Sequence, residues 1–314
     1  MKVSQQAEVF MTQLQSRSRR PIRRTSLRSY KSHLQKWILP HLGDRLLADV
    51  RNAAAKDFVH KLKTAGLKPP SVVAIYTTLK AVVRSARDEE GEPLHPVQWN
   101  PEFIDVPIID KHKQKTPSVS PTATTEAISR ALGADKALYA LCAGTGLRIG
   151  EALSLRLVRR GGAGDDGIGS FWVPGEMKLI IRGTVSLGQI QDTTKTPAGV
   201  REVDLCANLN SYLGETLAFS DFGEGDLMFP SSVGGVACQR TIYNHLKKTG
   251  INKTFHSFRR FRVTYLRKNK VPEDLIQFWT GHAKETQTDD YSKLSEDLEL
   301  RRYWVEKVGL GFEL

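Results

Sequence analysis

No run of 18 or more apolar residues occurs in the sequence, the length a helix needs to cross a bilayer. The opening residues, MKVSQQAEVFMTQLQ, lack the continuous apolar stretch and small-residue cleavage site of a secretory signal. Neither a membrane-spanning nor a secreted protein is indicated, and an intracellular one is expected. Cysteine is scarce: Cys142, Cys206 and Cys238 are odd in number and far apart, unsuited to a disulfide framework or a zinc site, and a reducing cytoplasm is the simple reading. A Gly-rich loop ending in Gly-Lys-Ser/Thr is missing, as is any obvious cluster of acidic metal ligands.

Positive charge, by contrast, is abundant and localised. The 314 residues carry 46 Lys and Arg against 34 Asp and Glu, a formal net charge of +12. Residues 1 to 122 hold 21 of the basic and 11 of the acidic groups, leaving 25 against 23 for the rest. Most of the excess is therefore in the first third, where RSRRPIRRTSLRSYK packs Arg17, Arg19, Arg20, Arg23, Arg24, Arg28 and Lys31 into one run. Such a run suits a phosphate backbone; a solvated basic tail is the plainer reading.

The length fits two domains, each able to bury a core. TSLRSYKSHLQKWILP offers Thr25 or Ser26 as an N-cap and puts Leu27, Tyr30, Leu34 and Ile38 at helical spacing, with Pro40 as the expected stop. AAAKDFVHKLKTAG repeats the pattern with Phe58, Val59 and Leu62 and ends at Gly66, and PSVVAIYTTLKAVVRSARDE aligns Val72, Tyr76, Leu79 and Val83. An all-helical module over residues 1 to 105 is predicted. Between 106 and 122 the periodicity lapses among Pro107, Pro117 and Pro121 and the lysines 111, 113 and 115, the mark of a linker. Helices resume from Thr124. Trp172 to Leu205 holds short β-prone runs, which predict a small antiparallel sheet inside a second, otherwise helical domain over 123 to 314.

Candidate chemistry lies in this second part. In GTGLRIGEALSL, Arg148 and Glu151 are three apart and can meet on one helix, although a surface ion pair is the commoner meaning of that spacing. HSFRRFRVTYLRK packs Phe258, Phe261 and Tyr265 on one side and projects His256 and Arg259 from the other; Arg260 falls near the same sector, so helical geometry leaves Arg259 and Arg260 both open. Lys195 precedes Pro197 and Gly199 in TKTPAGVREVDL, at the tip of a predicted hairpin, where most lysines merely face solvent. His282 follows Gly281 at a helix end, where capping is the ordinary role. Tyr291 stands among Gln287, Thr288, Asp289 and Asp290, so its hydroxyl is presented to something other than a core.

In their order and contexts these segments, with GHA and DDYSKL, resemble a tyrosine recombinase of the phage-integrase family. SYKSHLQKWILPHLGDRLLADV and VVAIYTTLKAVVRSA are similar to that family's core-binding domain, and the resemblance spans nearly the whole chain. It implies a mainly α chain: an all-helical, SAM-like core-binding domain followed by an α+β catalytic domain with a small antiparallel sheet. It further implies that Tyr291 attacks a DNA phosphodiester to form a 3′-phosphotyrosyl link and release a 5′-hydroxyl, with neither ATP nor metal. Arg148 and Arg259 match the arginines that hold the nonbridging oxygens, the His-x-x-Arg spacing choosing Arg259. Lys195 matches the general acid, His256 a proton-transfer histidine, His282 a phosphate hydrogen-bond donor, and Glu151 a residue orienting the first arginine.

The expected partner is double-stranded DNA with an inverted-repeat core site, bound by a homo-oligomer, a tetramer on two sites, in the cytoplasm at the nucleoid. Integration or excision of a mobile element is the expected setting. Arg19, Arg20, Arg23, Arg24, Arg28 and Lys31 are candidate DNA contacts. Two departures from the family stand out: a glycine-rich insertion over 159 to 170, and too few residues before the first core-binding helix for the arm-binding domain of larger integrases. Leu298, Val305 and Val308, with Trp304, form an apolar stripe that either docks on an adjacent protomer or folds back on its own domain. A type IB topoisomerase, a DNA-binding protein without catalysis and, more remotely, a metal-dependent nuclease are the competing readings.

Overall fold

A computed structural model describes residues 1–110, 117–158, 169–191, 199–218, 223, 225–281 and 294–314. The chain divides into two compact units, residues 1–115 and 116–314.

The first unit is helical throughout. It begins with a helix the sequence reading did not anticipate, α1 (Val3–Gln15), which buries Val3, Ala7, Phe10 and Leu14. Those four positions follow the helical repeat, so the signal was present in the opening residues. The basic run then leads into α2 (Arg24–His33), with Arg23 at its N-cap rather than Thr25 or Ser26. Pro40 does not end this helix. A π-turn over Leu34–Ile38, closed by the Leu39 N–H to the Leu34 oxygen, widens the coil just ahead of the proline ring, and helix resumes as α3 (Leu39–Leu42). Helices α4 (Asn52–Thr64) and α5 (Pro69–Arg84) bury the stripes read from their spacing, Phe58, Val59 and Leu62 on one and Val72, Tyr76, Leu79 and Val83 on the other. Beyond α5 the chain returns to this core through Ile104, which is fully buried, and Val106.

In the second unit, Ser120 caps α6 (Pro121–Arg130) by accepting from the Ala123 N–H at 3.2 Å. Ordered structure on both sides thus reaches into the span 106 to 122. Helix α7 (Ala134–Thr145) is buried from Ala137 to its end, as an apolar helix surrounded on all sides must be. It stops at Gly146, whose φ of +73° is the left-handed conformation glycine adopts without cost. The short α8 (Ile149–Ala152) follows.

The sheet is built from β1 (Leu155–Leu157), β2 (Ser170–Val173), β3 (Lys178–Ile181) and β6 (Arg201–Asp204), in spatial order β1-β2-β3-β6. The β2, β3 and β6 pairings are antiparallel, as predicted; β1 adds a parallel pairing to β2 that the sequence did not suggest. Most of the 159 to 170 insertion, which joins these two parallel neighbours, lies outside the described residues. Between β3 and β6 comes a separate hairpin, β4 (Thr184–Ser186) and β5 (Gln189–Gln191). Helix α9 (Ala207–Leu217) and the small hairpin of β7 (Pro230–Ser231) and β8 (Gly234–Val236) lead to α10 (Gln239–Lys248), α11 (His256–Lys268) and α12 (Glu273–Thr280).

The terminal helix α13 (Leu298–Val308) folds back on its own unit. Val305 and Val308 enter the core; Leu298, expected in the same stripe, is 37% exposed. Polar bonds also fasten the helix. Tyr265 donates to the Val308 oxygen at 2.7 Å, the buried Arg262 to the Gly309 oxygen at 2.6 Å, and Glu306 accepts from the Ala207 N–H at 2.7 Å. Of the two placements left open for this segment, the structure adopts the one within the chain.

Candidate active site

Arg148 sits at the N-cap of α8, where its backbone is extended and its side chain is free to turn toward Glu151 one turn on. Glu151 receives it twice: from the guanidinium at 2.7 Å and from the Arg148 backbone N–H at 3.0 Å. The pair is not the surface ion pair that its spacing alone suggests. Glu151 is 3% exposed, and its second partner is Arg201 of β6, which lies 3.0 Å from the far carboxylate oxygen and is itself buried. Burial pushes the Glu151 carboxyl upward, but the charge and hydrogen bond of Arg201, followed by those of Arg148, reverse the effect and hold it below its ordinary value.

Arg259 comes from the first turns of α11 and points inward, 2% exposed. Its guanidinium donates to the Gly146 oxygen at 3.0 Å and to the Thr280 oxygen. Burial, then the nearby Arg148 charge, lower its pKa to about 10, so it remains a cation at neutral pH. Arg260 lies nearer the surface and donates to the Pro117 oxygen at 3.1 Å. Tertiary packing thus separates two arginines that the helical wheel could not.

His256, at the start of α11, opens onto a shallow cleft lined by Arg259, Arg260, Val263, Thr264 and Arg267 with Ser118. Partial burial, together with the charges of Arg260, Arg259 and Arg148, depresses its pKa below 6.5, leaving a neutral imidazole at pH 7. The cleft therefore offers fixed cations beside an uncharged base. Such a set can hold the oxygens of a phosphodiester and pass a proton.

Arg148, Glu151, His256 and Arg259 are brought together by α8 and α11. Lys195, His282 and Tyr291 lie outside the described residues. Arg19 and Arg20 are exposed between α1 and α2, and Arg23, Arg24, Arg28 and Lys31 are exposed at the cap and along α2. Arg201 was missed by the sequence reading, although it lies in a quoted segment. Its signal was an arginine sharing an inward strand face with Val203, a placement that demands a partner. Among the described residues no group of three or more His, Cys, Asp or Glu could hold a metal ion, and no helix is long and apolar enough to cross a membrane.

The fold is that of the integrases. The Tn1549 transposon integrase in complex with a circular intermediate DNA superposes with a TM-score of 0.69 at 18% identity, covering 96% of this chain and 99% of that one. A lambda integrase dimer bound to a core site gives 0.63 at 16% identity over 91% and 97%. A lambda integrase tetramer bound to a Holliday junction gives 0.64 at 16% identity, over 91% and 79%. No curated protein matches in sequence. Residues 122–297, more than half of the chain, match the model of the phage integrase family, and the chain belongs to that family, the tyrosine-type site-specific DNA recombinases.

Proposed function

We propose that this recombinase cuts and rejoins duplex DNA at an inverted-repeat core site with Tyr291 as nucleophile, in the integration or excision of a mobile element. The tyrosine oxygen bonds to phosphorus, the bond to the 5′-oxygen breaks, and the 5′-hydroxyl of another strand reverses the step. Arg148 and Arg259 carry the charge that builds on the nonbridging oxygens. His256, neutral at pH 7, takes part in proton transfer, Lys195 protonates the leaving 5′-oxygen and His282 hydrogen-bonds the phosphate. The roles of Lys195, His282 and Tyr291 rest on their match to the family's motifs.

The observation that carries this reading is the pair of guanidiniums held by the protein's own groups, Arg148 by Glu151 and Arg259 by two backbone oxygens. Preorganised charge of this kind stabilises a transition state without reorganisation at the moment of reaction. The helical domain over 1 to 105, with its exposed basic run, contacts DNA, and the domain over 123 to 314 performs the chemistry. The Tn1549 and lambda structures, solved with DNA and in the lambda case as dimer and tetramer, support an assembly of several copies on DNA, which we take to be four on two sites. Placement at the nucleoid in the cytoplasm belongs to the same reading and rests on DNA binding alone.

The test is covalent capture. Purified protein in EDTA is mixed with nicked, randomised duplexes, and protein-linked DNA is isolated on a denaturing gel and sequenced. Adducts that share one inverted repeat and vanish in Tyr291→Phe, which still binds, are expected. Adducts without sequence preference point to a topoisomerase, and an adduct in Tyr291→Phe overturns the assignment of the nucleophile.

A further inference from the structure

Arg201 is a buried, multiply bonded cation beside the site, and nothing in the proposed chemistry uses it. Its side chain is 2% exposed. The guanidinium faces Glu151 across both carboxylate oxygens, at 3.0 and 3.4 Å, and donates to the Trp279 oxygen at 2.8 Å and the Gly199 oxygen at 3.0 Å. Two of these acceptors adjoin the groups that hold the site arginines. Glu151 holds Arg148; the carbonyl of Trp279 is followed by that of Thr280, which holds Arg259.

From this geometry we infer that Arg201 is a positioning residue for strand cleavage, setting the separation of the Arg148 and Arg259 guanidiniums by clamping Glu151 to the Trp279–Thr280 backbone. The reason is geometric. Arg148 is 38% exposed along its side chain, and an ion pair that open to solvent fixes a long side chain poorly unless its carboxylate is itself immobile. Arg201 supplies that immobility, because a planar fork with three donating nitrogens satisfies Glu151 from one side and two carbonyls from the other. A lysine carries the charge but has no fork to span these acceptors. This inference rests on the recombinase reading above.

The test compares wild type, Arg201→Lys, Arg201→Met, Glu151→Gln and the double variant Glu151→Gln/Arg201→Met on the duplex recovered by covalent capture. Adduct rate at saturating protein, Kd for the duplex and Tm are measured for each. A second duplex carries a methylphosphonate at the scissile position, which removes one nonbridging oxygen and its charge. Arg201→Lys is expected to slow adduct formation by about 10²-fold, the scale of a small misplacement of a catalytic group, with Kd unchanged. The double variant should be no slower than the slower single one, because both residues act through Arg148, and the deficit should shrink on the methylphosphonate. Should Arg201→Met fail to fold, Arg201→Lys and the double variant, which leaves no buried charge unpaired, carry the comparison. Wild-type rate in Arg201→Lys, or losses that multiply in the double variant and follow Tm equally on both duplexes, would reduce Arg201 to a structural ion pair and overturn the inference alone. Absence of any adduct with wild type overturns the recombinase reading and the inference together.

Discussion

Arg301, on the terminal helix, places its Nε 3.1 Å from the Oδ2 of Asp204 on the last strand of the sheet, with both side chains almost wholly buried. The same guanidinium reaches Glu202 at 2.6 Å, and Asp204 accepts from the Trp279 indole at 2.8 Å. The tail is therefore wired into the strand that carries Arg201 and into the helix that ends beneath Arg259. It belongs to the second unit itself.

Removing that wire should unfold more than it detaches. Arg301→Met leaves Asp204 without its cation, and the cost of breaking a buried pair from one side is about 3 kcal/mol. Truncation after Ser295 removes Val305, Val308 and Leu310 as well. Calorimetry should show the transition of residues 116–314 lowered in Arg301→Met and lost on truncation. A truncated protein that melts like wild type would show that the helix is an accessory.

Gly150, between Arg148 and Glu151, presses α8 against the β4–β5 hairpin. A Cβ built there lies 2.5 Å from Thr184 Oγ1 and 2.7 Å from the Val185 oxygen, and the latter is backbone that cannot turn aside. Gly150→Ala should cost about 1–3 kcal/mol as overpacking and, by moving Arg148, slow adduct formation by about 10²-fold. Kinetics on the captured duplex check it; an unchanged rate would mean that α8 can shift without consequence for the site.

His256 should set an acid limit. Its folded-state pKa lies below the ordinary 6.5, so the unfolded chain takes up the proton more readily. The protein loses stability from this group as pH falls through 6.5 toward the folded value, and none above 6.5. Adduct formation at limiting protein reports the free enzyme, and should hold through neutrality and fall with an inflection below 6.5. An NMR titration of the His256 ring gives the midpoint directly; a midpoint above 6.5 contradicts the proposed environment.

The basic run should show itself in salt. Each phosphate contact contributes a slope of about 0.9 to log K against log salt. Replacing Arg19 and Arg20 by Ala should flatten the plot by about 2 if each meets one phosphate, and an unaltered slope would leave both in solvent.

How far the sequence carries can be judged from particular elements. The stripes of α4 and α5 were legible because a helix in contact with one core repeats its apolar residues every three to four positions. By the same rule α1 was legible in Val3, Ala7, Phe10 and Leu14, and was passed over amid polar neighbours. Pro40 misled, since a proline ends a helix only where no wider turn precedes it. The order of the motifs was enough to recognise the family.

What the chain determined by itself was thus local: which segments are helical, where charge is concentrated, and which residue types follow one another. Tertiary structure alone decided that Arg259 faces inward while Arg260 faces the Pro117 carbonyl, that the tail packs on its own unit, and that Glu151 is shared between two arginines. Those outcomes depend on partners far along the chain, 50 residues between Glu151 and Arg201 and 99 between Glu202 and Arg301. No periodicity encodes such pairs. A buried charge finds its partner only when packing has removed water from both.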